Sequence, residues 1–135
     1  MRKVFCIGES LIDLIPALND KCGYLAKAGG APANVAACVA KLGGDGCFLG
    51  KISTDNFGDF LLEKMIDAGV NTEYVVRDGR YKTALAVVTL NKDGDRSFSF
   101  YRDNTADLML NEKEISGEIF ERGDILHFCS VSLVE

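Results

Sequence analysis

The sequence carries no excess of positive charge: 15 Lys and Arg stand against 20 Asp and Glu, a net charge of −5. With no Lys/Arg cluster either, the chain is not built to follow a nucleic-acid backbone. No apolar run approaches the roughly 20 residues that span a bilayer. The opening MRKVFCIGES lacks the long apolar core and small-residue cleavage site of a signal peptide and reads as a first β-strand. Five cysteines, Cys6, Cys22, Cys38, Cys47 and Cys129, are scattered and form no C-x-x-C pair. Reduced thiols in a cytoplasmic protein are the natural reading. The single histidine, His127, has no partner at ligand spacing, so no metal site is expected. It sits in the apolar run ILHFCSV, where a histidine in or beside the core is expected.

What the chain does have is 47% hydrophobic and 26% charged residues over 135 positions, enough for one modest globular domain. KVFCIG (Lys3–Gly8) is a continuous apolar run ending in glycine, the pattern of a buried parallel strand. SLIDLIP and GYLAKAGG read as extended pieces. From Pro32 to Leu42 small apolar residues recur at helical spacing, with proline in the first turn and Gly43-Gly44 at the end. GCFLGKIS is a strand. DNFGDFLLEKMIDAG is an amphipathic helix whose Phe57, Phe60, Leu61, Lys64/Met65 and Ala68 fall near one stripe. TEYVVR is a short strand, and TALAVVTL and RSFSFYR form a hairpin turned at Asp93-Gly94. NEKEISGEIFERG is partly helical, and DILHFCSV is a final buried strand.

Strands alternating with helices predict an α/β fold with a mostly parallel sheet. The hairpin breaks that alternation and is expected in a small separate β-layer, together with SLIDLIP and GYLAKA. The sequence stops at SVSLVE, straight after a strand. An α/β layer ending there leaves a sheet edge and an apolar face uncovered, so a partner chain or a longer parent protein is expected.

Two nucleotide signatures fail on inspection. Gly50-Lys51 is followed by Ile52, where a P-loop needs Ser or Thr, so a strand with a glycine is the better account. NEKE (Asn111–Glu114) is explained by an asparagine helix cap with glutamate three residues on. Asp13, inside LIDLI, is harder to dismiss. Either it lies on the exposed face of an edge strand, or it accepts hydrogen bonds from a polar ligand. An ionised carboxylate is acceptor-only and takes two adjacent hydroxyls, which suits a sugar diol. The stretch GGAPANVAACVAKLGG poses the same choice. Gly29-Gly30 and Asn34 serve as helix punctuation, or they bare the backbone and offer an amide to a ligand. No Lys or Arg lies close in sequence, so a neutral ligand fits better than a phosphate.

GESLIDLIP, GGAPANVAACVAKLGG, FLGKISTDNFGDFLLEKMIDAGV and FYRDNTADLML, in that order, resemble the amino-terminal half of a ribokinase-like carbohydrate kinase, closest in style to bacterial fructokinases. One departure is Ser53-Thr54, where the family commonly has a glycine and an acidic residue. The resemblance covers essentially all 135 residues. It implies part of a three-layer α/β/α fold with a small β-sheet lid, lid segments at about 10–28 and 83–103, and the carboxy-terminal half absent.

The same resemblance implies ATP-dependent phosphorylation of a sugar hydroxyl, with fructose as substrate. Ribokinase or 2-keto-3-deoxygluconate kinase specificity, or a non-catalytic sugar-binding or dimerising module, stand as alternatives. By family analogy Asp13, Gly29, Gly30 and Asn34 bind the sugar. Period-2 alternation in the hairpin places Phe98, Phe100 and Arg102 on one face. Phe100 and Arg102 are accordingly expected on the sugar, although packing of this face on another layer would explain it too. The catalytic residues and the ATP and Mg²⁺ sites are expected outside this chain, so the isolated 135 residues should have no kinase activity. The outer face of the lid is a candidate homodimer surface.

Overall fold

The structure is a computed structural model describing residues 2–20, 22–90 and 95–133. Its elements run β1 (Lys3–Ile7), β2 (Leu11–Pro16), β3 (Tyr24–Gly29), α1 (Ala31–Lys41), β4 (Asp45–Ile52), α2 (Asn56–Asp67), β5 (Val75–Arg77), β6 (Leu85–Leu90), β7 (Arg96–Tyr101) and β8 (Ile125–Phe128). Short 3₁₀ turns follow β7 and β8. The strands form two four-stranded sheets, ordered β5-β4-β1-β8 and β3-β2-β6-β7.

The first sheet is parallel throughout, as its continuous apolar strands require. Helix α1 begins with Pro32 in its first turn, where a missing N–H costs nothing, and ends where Gly43 takes φ +86°. Its small residues let it lie close on β4, burying Ala33 and Ala36 against Cys6, Phe48, Ile52, Met65 and Val70. Complete burial of a side chain such as Phe48 contributes roughly 1.5–3 kcal/mol. Helix α2 is capped by Asp55, whose carboxylate accepts the Gly58 N–H at 2.8 Å. Its buried stripe is Gly58, Leu61 and Met65, so the expected stripe shifts at its start. Phe57 lies on the exposed side of α2.

Lys51 is fully buried and is an internal cation: its Nζ lies 2.7 Å from Glu114 Oε1 and 3.4 Å from Asp78 Oδ2. Asn111 and Glu114 form the expected reciprocal cap, here on a single 3₁₀ turn. Ser53, the family departure, closes its turn with its own hydroxyl, which donates to the Tyr81 carbonyl at 2.7 Å and accepts the Asp55 N–H at 3.0 Å.

The second sheet contains the separate β-layer expected from the broken alternation. β2 pairs β3 antiparallel and β6 parallel, and β6 pairs β7 antiparallel. The Asp93-Gly94 turn lies outside the described residues. One expectation is corrected. DILHFCSV contains a strand, but not a buried one: Ile125, Leu126 and Phe128 are each more than half exposed. Among the described residues β8 is an edge of the sheet and pairs with β1 alone. His127 is half-buried there, with Nε2 3.4 Å from Cys129 Sγ.

Candidate functional site

Register in the second sheet decides what faces what. Asp13 on β2 stands opposite Lys27 on β3 and Ala86 on β6, and Ala86 stands opposite Phe100 on β7. Paired residues project to the same side, so Asp13 and Phe100 share a face two strands apart. Phe98 shares it too, its ring stacked on that of Phe100 with centroids 6.0 Å apart. The opposite face turns toward α2 and buries Ile12.

On the Asp13 face lies a cavity of about 310 Å³, lined by Glu9, Leu11, Asp13, Gly30, Ala31, Phe98, Phe100 and Val131. A second cavity of about 170 Å³ adjoins through Asp13 and Phe98 and reaches Arg96. Asp13 is half-buried, and burial raises its pKa from the ordinary carboxylate value. Among the described residues no hydrogen bond or ion pair reaches its carboxylate. A carboxylate in apolar surroundings without a partner is an acceptor waiting for donors.

Gly30 lines the same cavity, and Gly29, the last residue of β3, stands beside Asp13. A β-carbon on Gly29 would collide with the Asp13 carboxylate. Gly30 has φ +105°, and a β-carbon there would meet the Glu9 carbonyl at 2.5 Å. At Gly30 the backbone itself requires glycine.

Glu9 was not singled out from the sequence. It is buried, with Oε1 accepting the Ala31 N–H at 3.1 Å and Oε2 accepting the Ser132 hydroxyl at 2.5 Å. Its position just past the carboxyl end of a parallel strand, where α/β sheets bind ligands, was the available signal.

Three expected residues are not in the lining of this cavity: Gly29, which lines a neighbouring one, Asn34 and Arg102. Asn34 is exposed on α1, its backbone N–H bonded to the Gly30 carbonyl at 3.0 Å. One helical turn separates it from the glycines. It lines a distinct cavity of about 60 Å³ with Ser10, Gly29, Ala33 and residues of α2. Its amide has no partner among the described residues.

Arg102 lies just past the end of β7, where strand alternation no longer sets direction. Its Nε donates to Asp107 Oδ2 at 2.6 Å and its Nη1 to the Val131 carbonyl at 3.2 Å. Asp107 is almost wholly buried, so the Arg102 charge is already compensated. Its Nη2 is buried without a partner among the described residues, beside a cavity of about 180 Å³ next to Gly8 and Ser132.

The site can therefore bind and orient a hydroxyl-bearing molecule against aromatic rings. Among the described residues no group of three or more His, Cys, Asp or Glu is placed to hold a metal ion. Nor does the Asp13 cavity present the cations or run of free N–H groups that a triphosphate needs. These residues do not fit a nucleotide–metal site.

The chain is thus a two-sheet α/β fold in which an acid, Asp13, and a glycine at positive φ, Gly30, line one cavity. Comparison with known proteins names the family. The profile of the pfkB family carbohydrate kinases matches residues 1–135. The chain is 43% identical to probable fructokinase-5 of Arabidopsis thaliana, across 97% of this chain and 42% of that protein. It superposes on the fructokinase of Xylella fastidiosa with a TM-score of 0.89 at 44% identity, covering 98% of this chain and 42% of that one. It also superposes on the fructokinase of Vibrio cholerae O395 in its fructose, ADP and calcium ion bound form, with a TM-score of 0.86, 37% identity and the same coverage. The chain belongs to the pfkB family of carbohydrate kinases and spans about two fifths of the length of the relatives it matches.

Proposed function

We propose that this chain is the sugar-binding part of a cytoplasmic, ATP-dependent fructokinase. The observation that carries the reading is the half-buried, unpartnered carboxylate of Asp13. It is seated against bare main chain at Gly29-Gly30 and faces the ring pair Phe98 and Phe100. Asp13 takes two hydroxyl donors of the sugar, the backbone at Gly29 and Gly30 meets the next, and Phe100 packs on the C–H surface. Relatives named fructokinase, one of them solved with fructose bound, support the choice of sugar. The lining of the inner cavity contains no cation, and the Arg102 charge is held by Asp107, which favours a neutral sugar over a sugar acid.

In this reading the second sheet, residues about 10–28 and 83–103, acts as a lid. Its closure over the sugar excludes water, a competing phosphoryl acceptor. Asn34 and Arg102 join the sugar from the flanks as the lid closes. The unpartnered Nη2 of Arg102 is the group available for that contact. ATP and Mg²⁺ bind to protein outside these 135 residues, which also supplies the base that orients the attacking hydroxyl. The open outer face of the lid pairs with a second copy.

The test is to titrate fructose, ribose and 2-keto-3-deoxygluconate against the full-length protein, with and without Asp13→Asn. Fructose should be preferred, and its binding should fall with Asp13→Asn. Equal or better binding of the sugar acid would overturn the assignment.

A further inference from the structure

We propose that Glu9 is a positioning residue for the sugar site: it locks the Gly30 turn and the first turn of α1 to the segment after β8. The inference rests on the Asp13 cavity being the sugar site, and assigns what holds that cavity's wall in place. One carboxylate spans three separate pieces of chain. The Glu9 backbone belongs to the β1–β2 connection, Oε1 takes the Ala31 N–H at 3.1 Å, and Oε2 takes the Ser132 hydroxyl at 2.5 Å.

Ala31 is the first residue of α1, so Glu9 satisfies one of the orphan N–H groups at that terminus and sets its negative charge against the helix dipole. No side chain of the helix does this job. Gly30 occupies the cap position and has none to offer, because its φ of +105° and the approach of the Glu9 carbonyl require glycine. The conformation that bares the Gly30 main chain to a ligand is thus one that cannot cap its own helix. Glu9 caps it from a distance of 22 residues. It is 2% exposed with both oxygens engaged, so its own part is to hold the wall, while Asp13 in the same cavity keeps its acceptors free.

The experiment compares Glu9→Ala, Glu9→Gln and Ser132→Ala in the full-length protein, with steady-state kinetics and amide hydrogen exchange over residues 29–36. Glutamine can still accept the Ala31 N–H and donate to the Ser132 hydroxyl, so it preserves the lock without the charge. Glu9→Ala should raise KM for fructose about tenfold, leave KM for ATP within about twofold and speed exchange at the start of α1. Glu9→Gln should restore fructose KM to within about threefold of the parent. Ser132→Ala should fall between them.

An unchanged fructose KM in Glu9→Ala, with faster exchange, would overturn the positioning role while leaving the fructokinase reading intact. An equal rise in both KM values would overturn it as well. A parent protein that does not phosphorylate fructose would sink the functional reading, and the exchange measurement would still report whether Glu9 holds the turn. If Glu9→Ala does not fold, a Glu9→Gln protein as impaired in fructose KM as Asp13→Asn would refute the proposal, since glutamine keeps both bonds.

Discussion

The carboxylate of Asp13 lies where a β-carbon on Gly29 would stand, so a side chain at position 29 would have to displace it. A carboxylate on β2 and the bare last residue of β3, 16 residues apart in the sequence, come side by side. Function and stability pull in opposite directions at this point. Burial without a partner raises the Asp13 pKa, so the ionised form disfavours the folded state. For a raised carboxylate, the stabilising contribution is full below the unfolded pKa and is lost as pH rises through the folded one. Asp13→Asn should therefore bind fructose at least about tenfold more weakly. Its thermal midpoint at pH 7 should equal or exceed that of the parent, and its advantage should shrink as the pH falls toward 4. Calorimetric titration and thermal melts from pH 4 to 7 check both halves.

Gly30→Ala puts a β-carbon on backbone at φ +105° and against the Glu9 carbonyl. We expect a loss of about 1–3 kcal/mol in urea unfolding of the full-length protein, together with weaker sugar binding. Gly43→Ala, also at positive φ but with nothing within 4 Å of its β-carbon, should cost less and leave sugar binding unchanged.

Phe98 and Phe100 are both about half exposed, which is costly unless something covers them. Phe100→Ala should raise fructose KM by about tenfold with little loss of stability, because the ring is not in the core. Should the variant unfold easily while its KM holds, the ring would be packing rather than binding.

Lys51 holds Glu114 below the ordinary carboxylate range, while Asp78 is depressed chiefly by Arg80, with Lys51 adding to it. A depressed carboxylate contributes stability that is present above its unfolded pKa and lost as pH falls through the folded one. Stability should thus decline on acidification below about pH 4.5. Lys51→Met should flatten that decline and lower the urea midpoint at pH 7. Urea midpoints at several pH values between 3 and 7 measure the slope.

Catalysis is expected only when the sugar half is joined to a nucleotide half. The 135 residues alone should produce no sugar-dependent ADP in a coupled assay. Read onward in the gene, the protein should contain a glycine-rich segment ending in an aspartate. A stop codon at that point would favour the binding-module alternative. The exposed edge β8 should also make the isolated chain associate, and sedimentation at rising concentration tests this.

Most of the fold was legible because its signals are local. Apolar runs marked the strands, Pro32 and Gly43-Gly44 bounded α1, and the break in alternation placed the hairpin in its own layer. Legibility ends where local pattern gives out. DILHFCSV looks buried because its residues are apolar, yet burial needs covering layers, and β8 has one neighbouring strand. Arg102 lies one residue past the end of β7, where alternation sets no direction, and its guanidinium pairs with Asp107. Asn34 stands one helical turn from Gly30 and lines a neighbouring cavity, a placement that only the helix decides.

The amino-acid order alone determined the α/β class, the helix boundaries and the candidacy of Asp13 and the paired glycines, since propensity, capping and periodicity act within a few residues. Only the tertiary structure decided which of these meet. Glu9 reaches Ala31 and Ser132 across 22 and 123 positions, and Lys51 meets Asp78 across 27. Long-range packing and ion pairing make those choices, because the energy of a buried charge depends on which distant groups the fold brings beside it.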